Sequence, residues 1–252
     1  RCASVCVNGV YAPRVRERLD KAGADHGVKL CVVAGFPLGA TLPMTRAIES
    51  VQLCKVGAEE VDVVAYLPRV LRLDQDGLRD DLLETTRAVR AVSSKICVKV
   101  IIESALLREM AASDDEFEAM IVCACKASAQ AGCDFVKTST GFNAAGGASI
   151  EAVTLMKKHA GDLKVKASGG IRTYSDALAM IEAGADLEQV MTIHNPGATP
   201  LYAAALAGSV RCVTMLCDAG ADVNAATADG ATPMMVSCQT GHLDVSMLLS
   251  SY

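Results

Sequence analysis

Over the first 185 or so positions, apolar residues fall into short continuous runs, each followed by a longer stretch with helical spacing. The runs at 3–7, 29–34, 60–65, 96–102, 133–138 and 163–167 predict six strands. The stretches at about 13–24, 43–57, 76–92, 114–131, 149–160 and 173–183 predict six helices. In 76–92, Leu78, Leu82, Leu83 and Val89 mark the apolar positions. Asp114, Asp115 and Glu116 open the next helix, where the macrodipole favours acids. Ser149 is the expected N-cap of another, with Glu151 in its first turn. Strands that read as continuous apolar runs are buried on both faces, as parallel strands are. Strict alternation with helices then predicts an α/β fold. A closed (β/α)8 TIM barrel and an open doubly wound sheet both satisfy it. No GxGxxG fingerprint follows the first strand, and polar residues recur towards the C-terminal ends of several strands: Asp62, Glu103, Lys137 and Lys166. That is the barrel pattern.

From about residue 195 the pattern changes. Gly197-Ala198-Thr199-Pro200-Leu201 returns 33 positions later as Gly230-Ala231-Thr232-Pro233-Met234, and Gly208-Ser209-Val210 returns as Gly241-His242-Leu243. Between them lies Ala219-Gly220-Ala221-Asp222-Val223-Asn224. This segment resembles the ankyrin repeat, and it covers less than two full units. Such units bury a face only by stacking, so a short array must lean on a neighbour. The expected division is 1–186 for the barrel part, 187–194 for a junction and 195–252 for the repeats. Val190-Met191-Thr192-Ile193 in the junction reads as a short substitute strand.

The composition supports a packed core: 51% of the 252 residues are hydrophobic and 21% charged. The net charge of −5, the lack of a basic block and the absence of Trp argue against a nucleic-acid or anionic-membrane surface. No run approaches a membrane span, and no signal peptide is recognisable. The eleven cysteines are an odd number scattered through apolar runs such as those holding Cys31, Cys97 and Cys133, with no CxxC pair. They read as buried reduced thiols of a cytoplasmic protein rather than as zinc ligands or disulfides. The chain starts at Arg1 directly before a strand-like run, as a fragment would.

Two strand ends carry the candidate chemistry: Phe135-Val136-Lys137 followed by Thr138-Ser139-Thr140-Gly141, and Val165-Lys166 followed by Ala167-Ser168-Gly169-Gly170. A strand-end lysine ordinarily snorkels to solvent. Two on neighbouring strands, about 4.8 Å apart, would repel, so that one pKa falls and a nucleophilic amine results. Asp62, flanked by valines, is either a structural partner for a lysine or a proton relay. Glu103 reads as a helix cap or ion-pair partner, and Lys99 as part of a polar core layer. Thr140, Gly141, Ser168, Gly169 and Gly170 offer backbone N–H groups suited to phosphate, although a glycine pair is more often only a turn. Cys6 reads as a structural thiol or a reactive one.

Residues of about 3–185 resemble the deoxyribose-phosphate aldolase family. The stretches that carry the resemblance are Ala3–Asn8, Gly35-Phe36-Pro37-Leu38-Gly39, Glu60–Val64, Lys99–Glu103, Asp134–Phe142 and Lys166–Thr173. The resemblance implies a (β/α)8 barrel and a class I aldolase. Such an enzyme cleaves 2-deoxy-D-ribose 5-phosphate reversibly to D-glyceraldehyde 3-phosphate and acetaldehyde, with no metal or organic cofactor. It implies Lys137 as the Schiff-base lysine, with Lys166 depressing its pKa and sharing proton transfer with Asp62. Gly141, Gly169 and Gly170 would hold the phosphate of the small sugar substrate. The family's first and eighth strands have no counterpart here, and the phosphate-binding turn expected after Ala185 is replaced by the start of the repeats. The expected barrel is therefore incomplete and a poor aldolase if the chain is whole. The alternative is an inactive aldolase remnant that binds a protein partner through its ankyrin segment.

Overall fold

The computed structural model describes residues 3–23, 27–186, 199–218, 220–227 and 230–252. These divide into two compact units, one built on Ala3–Arg172 and the helix after it, the other on the C-terminal helices from 199 onward. The expected helix end at Ala24, the junction 187–194 with its Val190–Ile193 run, Gly197, Ala198 and Ala219 lie outside the described residues.

The larger unit runs β1 (Ser4–Val7), a 3-10 turn (Gly9–Tyr11), α1 (Ala12–Lys21), β2 (Lys29–Ala34), α2 (Pro43–Lys55), β3 (Glu60–Val64), α3 (Leu67–Leu71), α4 (Gln75–Val92), β4 (Cys97–Ile101), α5 (Ser104–Met110), α6 (Asp114–Gln130), β5 (Phe135–Lys137), α7 (Ile150–His159), β6 (Lys164–Lys166) and α8 (Tyr174–Glu182). All six predicted strands and six predicted helices are present. The short helices α3 and α5 were not predicted. The first spans five residues with Pro68 in its first turn, and the second follows Glu103, whose backbone is left-handed at φ 50°. Neither leaves room for a helical period to show.

The six strands form one parallel sheet in chain order, β1-β2-β3-β4-β5-β6. A doubly wound sheet reverses order at a switch point. Here every crossover steps the same way, so the sheet curls as a barrel wall does. The fold is thus an incomplete TIM barrel of six strands, as the sequence predicts. Among the described residues, no further strand pairs with the outer edge of β1 or β6.

Period-2 alternation divides the sheet into two faces. Leu30, Val32, Val61, Val63, Val98, Val100, Val136 and Val165 point one way and join the helices in the hydrophobic core. Leu78 and Leu82 of α4 and Phe117 and Ile121 of α6 close that core, each at most 1% exposed. The other face carries Cys31, Glu60, Asp62, Lys99, Lys137 and Lys166, all buried. Ser149 caps its helix as predicted, accepting from the Ala152 N–H, and Ser113 caps α6 by accepting from that of Glu116.

The smaller unit holds α9 (Pro200–Leu206), α10 (Val210–Asp218), α11 (Pro233–Gln239) and α12 (Leu243–Leu249). Each repeat opens on a threonine cap followed by proline: Thr199 accepts from Tyr202, and Thr232 from Met235. Leu201, Ala205, Val213, Val236, Val245 and Leu249 form a core separate from that of the barrel.

Truncating Leu78 to alanine removes a fully buried side chain between α4 and the sheet. It is expected to destabilise the barrel unit by about 2–5 kcal/mol, read as a lower urea midpoint.

Candidate active site

The polar face of the sheet is organised around one carboxylate. Asp62, on β3, is fully buried. Lys137 Nζ donates to its Oδ2 at 2.7 Å and Lys99 Nζ to its Oδ1 at 2.9 Å, while Lys166 Nζ lies 3.6 Å from Oδ2. Lys99 also donates to Glu60 Oε2 at 2.6 Å. Three ammonium groups thus face two carboxylates, a local excess of one positive charge. Two thiols complete the shell of Asp62: Cys31 Sγ at 3.2 Å from Oδ1 and Cys6 Sγ at 3.9 Å from Oδ2.

Strand register explains how they meet. Asp62 is paired with Lys99, and Lys137 with Lys166. Lys137 is also level with Ile101, which is level with Val64, so Asp62 lies two residues lower on the sheet. The long lysine stem reaches down across that offset. Asp62 is therefore a mid-strand residue, not one towards the C-terminal end of its strand as the barrel pattern had suggested.

Burial pushes the Asp62 carboxyl up, but Lys137, Lys99 and Lys166 together hold it well below the usual carboxylate range. For Lys137 burial works downward, and the Asp62 carboxylate outweighs it, so its pKa is raised. This corrects the expectation that Lys166 would depress Lys137. The nearest opposite charge, in direct hydrogen-bond contact, dominates the like charge beside it. Lys99 is raised in the same way against its own burial, by Asp62, Cys31 and Glu60.

Above this layer, two loops meet edge to edge. Thr138 Oγ1 donates to the Ser168 carbonyl at 3.0 Å and accepts from the Ser168 N–H at 2.9 Å, and Ser139 Oγ donates to the same carbonyl. Gly147 and Gly169 allow the close approach: a Cβ on Gly147 would lie 2.2 Å from the Gly169 carbonyl oxygen. Gly141, Gly169 and Gly170 all have φ near +80°, where an L side chain is strained. Their N–H groups have no acceptor among the described residues. Of the residues expected to offer N–H groups, Thr140 and Ser168 do not: the Thr140 N–H donates to Glu103 Oε1, and the Ser168 N–H is held by Thr138.

Glu103 differs from its expected role. It sits at the N-cap of α5 but makes no side-chain cap there. Its buried carboxylate instead anchors the loop after Lys137 through Thr140. Burial raises its pKa, against the opposing hydrogen bonds from Thr140. Cys31 and Glu60 were not singled out as site residues by the sequence. A strand partner of known register would have revealed them, since Cys31 pairs with Glu60 and lies beside Cys6. Among the described residues, the side chains that converge with metal-ligating atoms are Cys6, Cys31 and Asp62, within 4.8 Å of one another. Both oxygens of Asp62 already accept from ammonium groups, so a cation entering there would meet two positive charges.

Reactive groups gathered on the inner face of sequential parallel strands mark a βα-barrel enzyme. The chain belongs to the DeoC/LacD family aldolases, whose sequence model matches residues 1–210. It is 47% identical to the deoxyribose-phosphate aldolase of Streptococcus suis over 184 residues, covering 73% of this chain and 76% of that one. It is 53% identical to that of Kocuria rhizophila over 184 residues, covering 72% and 75%. The solved deoxyribose phosphate aldolase from Aeropyrum pernix is similar at 31% identity and a TM-score of 0.61, over 73% of this chain and 70% of that one. A model of ankyrin repeats in three copies matches residues 172–252, so the two family matches share 172–210. No helix among the described residues is long and apolar enough to cross a membrane.

The Asp62 shifts give a signed prediction. A carboxyl with a depressed folded pKa contributes stability that is present above its unfolded pKa, about 3.9, and lost as pH falls towards the folded value. The stability difference between the wild type and Asp62→Asn is therefore expected to be largest near neutrality and to shrink below about pH 4. Denaturant melts across pH would show this. A difference that stays constant into acid would mean that Asp62 is not held ionised by the lysines.

Proposed function

We propose that the chain is a class I aldolase of the deoxyribose-phosphate type, with Lys137 as the Schiff-base residue. The observation that carries this reading is the buried Lys137 amine, hydrogen-bonded to Asp62 and level with Lys166. The names of the relatives supply the substrate class, 2-deoxy-D-ribose 5-phosphate.

On this reading Lys137 gives up a proton before it attacks the carbonyl carbon, and Asp62 is the acceptor it already touches. The C–N bond forms as the carbonyl oxygen takes a proton. Lys166, near the same Asp62 oxygen, is placed to donate that proton, to take the surplus proton from the attacking nitrogen, and to pass it to the hydroxyl, which leaves as water. The neutral Lys166 then takes the proton of the C3 hydroxyl while the protonated imine withdraws the electrons of the C2–C3 bond, releasing D-glyceraldehyde 3-phosphate. The enamine left on Lys137 is reprotonated and hydrolysed to acetaldehyde. Gly141, Gly169 and Gly170 donate N–H groups to the phosphate, and Thr140 and Ser168 shape the loops that present them. The excess positive charge of the lysine layer favours such an anion. The barrel part of this reading covers 1–186, with the repeats at 195–252 after a junction at 187–194.

Borohydride reduction in the presence of acetaldehyde is expected to fix an ethyl group on Lys137, and Lys137→Met to abolish cleavage of deoxyribose 5-phosphate. Lys166→Met is expected to lower kcat by about 10²–10⁴-fold, as loss of a proton donor does. A folded chain whose Lys137 stays unlabelled would sink the aldolase reading. It would favour the alternative of an aldolase remnant that binds a protein partner through its repeats.

A further inference from the structure

The mechanism leaves the two thiols beside Asp62 without a task. Cys6 on β1 and Cys31 on β2 are direct register partners in a parallel pair. Adjacent strands lie about 4.8 Å apart, within the ~4.4–6.8 Å between Cα atoms that a disulfide spans. Their sulfurs lie within 4.8 Å of each other. Cys31 is fully buried, whereas Cys6 is only half-buried, so a small oxidant reaches Cys6 first.

We propose that Cys6 and Cys31 form a redox-sensitive pair that closes to a disulfide on exposure to hydrogen peroxide and thereby alters the environment of Asp62. The two thiols differ in the way such a pair requires. The neighbouring Cys31 thiol lowers the Cys6 pKa, and burial pushes that of Cys31 well up. Cys6 is the attacking sulfur and Cys31 the resolving one. In the first step the Cys6 thiolate attacks peroxide. An S–O bond forms, the O–O bond breaks, sulfur loses two electrons to the peroxide, and hydroxide leaves. In the second step the Cys31 sulfur attacks the Cys6 sulfenic sulfur. The S–S bond forms, the S–O bond breaks, and the departing hydroxyl takes the Cys31 proton to leave as water.

The consequence falls on Asp62. The reduced thiols supply two donors to its carboxylate, and the disulfide supplies none. Asp62 is then held by ammonium groups alone and grips the Lys137 ammonium more firmly, which disfavours the free amine. This consequence rests on the aldolase reading; the pairing of the thiols does not.

The full-length chain would be treated with hydrogen peroxide, its remaining thiols blocked with iodoacetamide, and its peptides mapped. A Cys6–Cys31 crosslink that dithiothreitol removes is expected. Acetaldehyde labelling of Lys137 under borohydride should fall several-fold in the oxidised chain and recover on reduction. In Cys31→Ser, or Cys31→Ala should the serine variant not fold, the crosslink is absent and dimedone captures Cys6 sulfenic acid. A folded wild-type chain in which Cys6 and Cys31 stay unlinked while other thiols oxidise would overturn the pairing. A crosslink that leaves Lys137 labelling unchanged would overturn the effect on the site. If Lys137 is not labelled even in the reduced chain, the aldolase reading fails, and with it the proposed effect. The peptide map still decides the pairing.

Discussion

A single carboxylate, Asp62, makes the interior of this barrel wall possible. Three ammonium groups buried on neighbouring strands would repel one another and carry a large desolvation cost. A lone carboxylate buried there would be as unfavourable. Together, with Glu60 as the second acid, Lys99 and Lys137 each have a carboxylate at hydrogen-bond distance and Lys166 has one at 3.6 Å. The groups are interdependent: removing Asp62 would strand the lysines, and removing Lys99 would leave Glu60 and Asp62 short of a cation. Such networks are costly when half-satisfied, which is why their register has to be fixed. The uniform valine face on the other side of the same strands fixes it. A slip of one residue would turn the charges into the helix-packed core and the valines inward.

That dependence also explains which parts of the structure are legible in the sequence. Strands and helices announce themselves through local periodicity, and the six strands and six helices predicted for the barrel part are all present. Lys137 and Lys166 stand out because each ends an apolar run and precedes small residues. Which acid they meet, and at what level, is a cross-strand fact. Asp62 sits two residues below Lys137 in register, and only the pairing of β3, β4 and β5 brings them together. For the same reason the sequence misjudges the Lys137 pKa. It shows a neighbouring lysine but not a carboxylate at 2.7 Å, and the shorter, opposite-sign contact prevails.

The loops show a similar limit. Glycines after a strand mark places where backbone N–H groups can be exposed, and Gly141, Gly169 and Gly170 keep theirs unpaired among the described residues. The sequence cannot show which N–H groups the protein has already used. Thr140 gives its own to Glu103, a residue that a local reading assigns to capping a helix. Glu103 holds a left-handed backbone at the end of β4, a conformation costly for a non-glycine residue. In exchange, its carboxylate crosses to the next loop and fixes the segment that follows Lys137. Strain in one βα unit thus orders the loop of its neighbour.

The thiols beside Asp62 fit the same electrostatic logic. A carboxylate surrounded by hydroxyl or amide donors would be strongly stabilised and would release its hold on a neighbouring ammonium easily. One surrounded only by ammonium groups would keep every lysine charged. S–H groups are weak donors, so Cys6 and Cys31 stabilise the carboxylate less than hydroxyl or amide donors would. Asp62 stays ionised through the lysines while part of its charge is drawn towards sulfur. The poise of the Lys137 amine therefore depends on side chains from β1 and β2 as well as on its neighbour Lys166. Because β1 is the last described strand on that side of the sheet, the site's electrostatics reach the edge of the barrel wall.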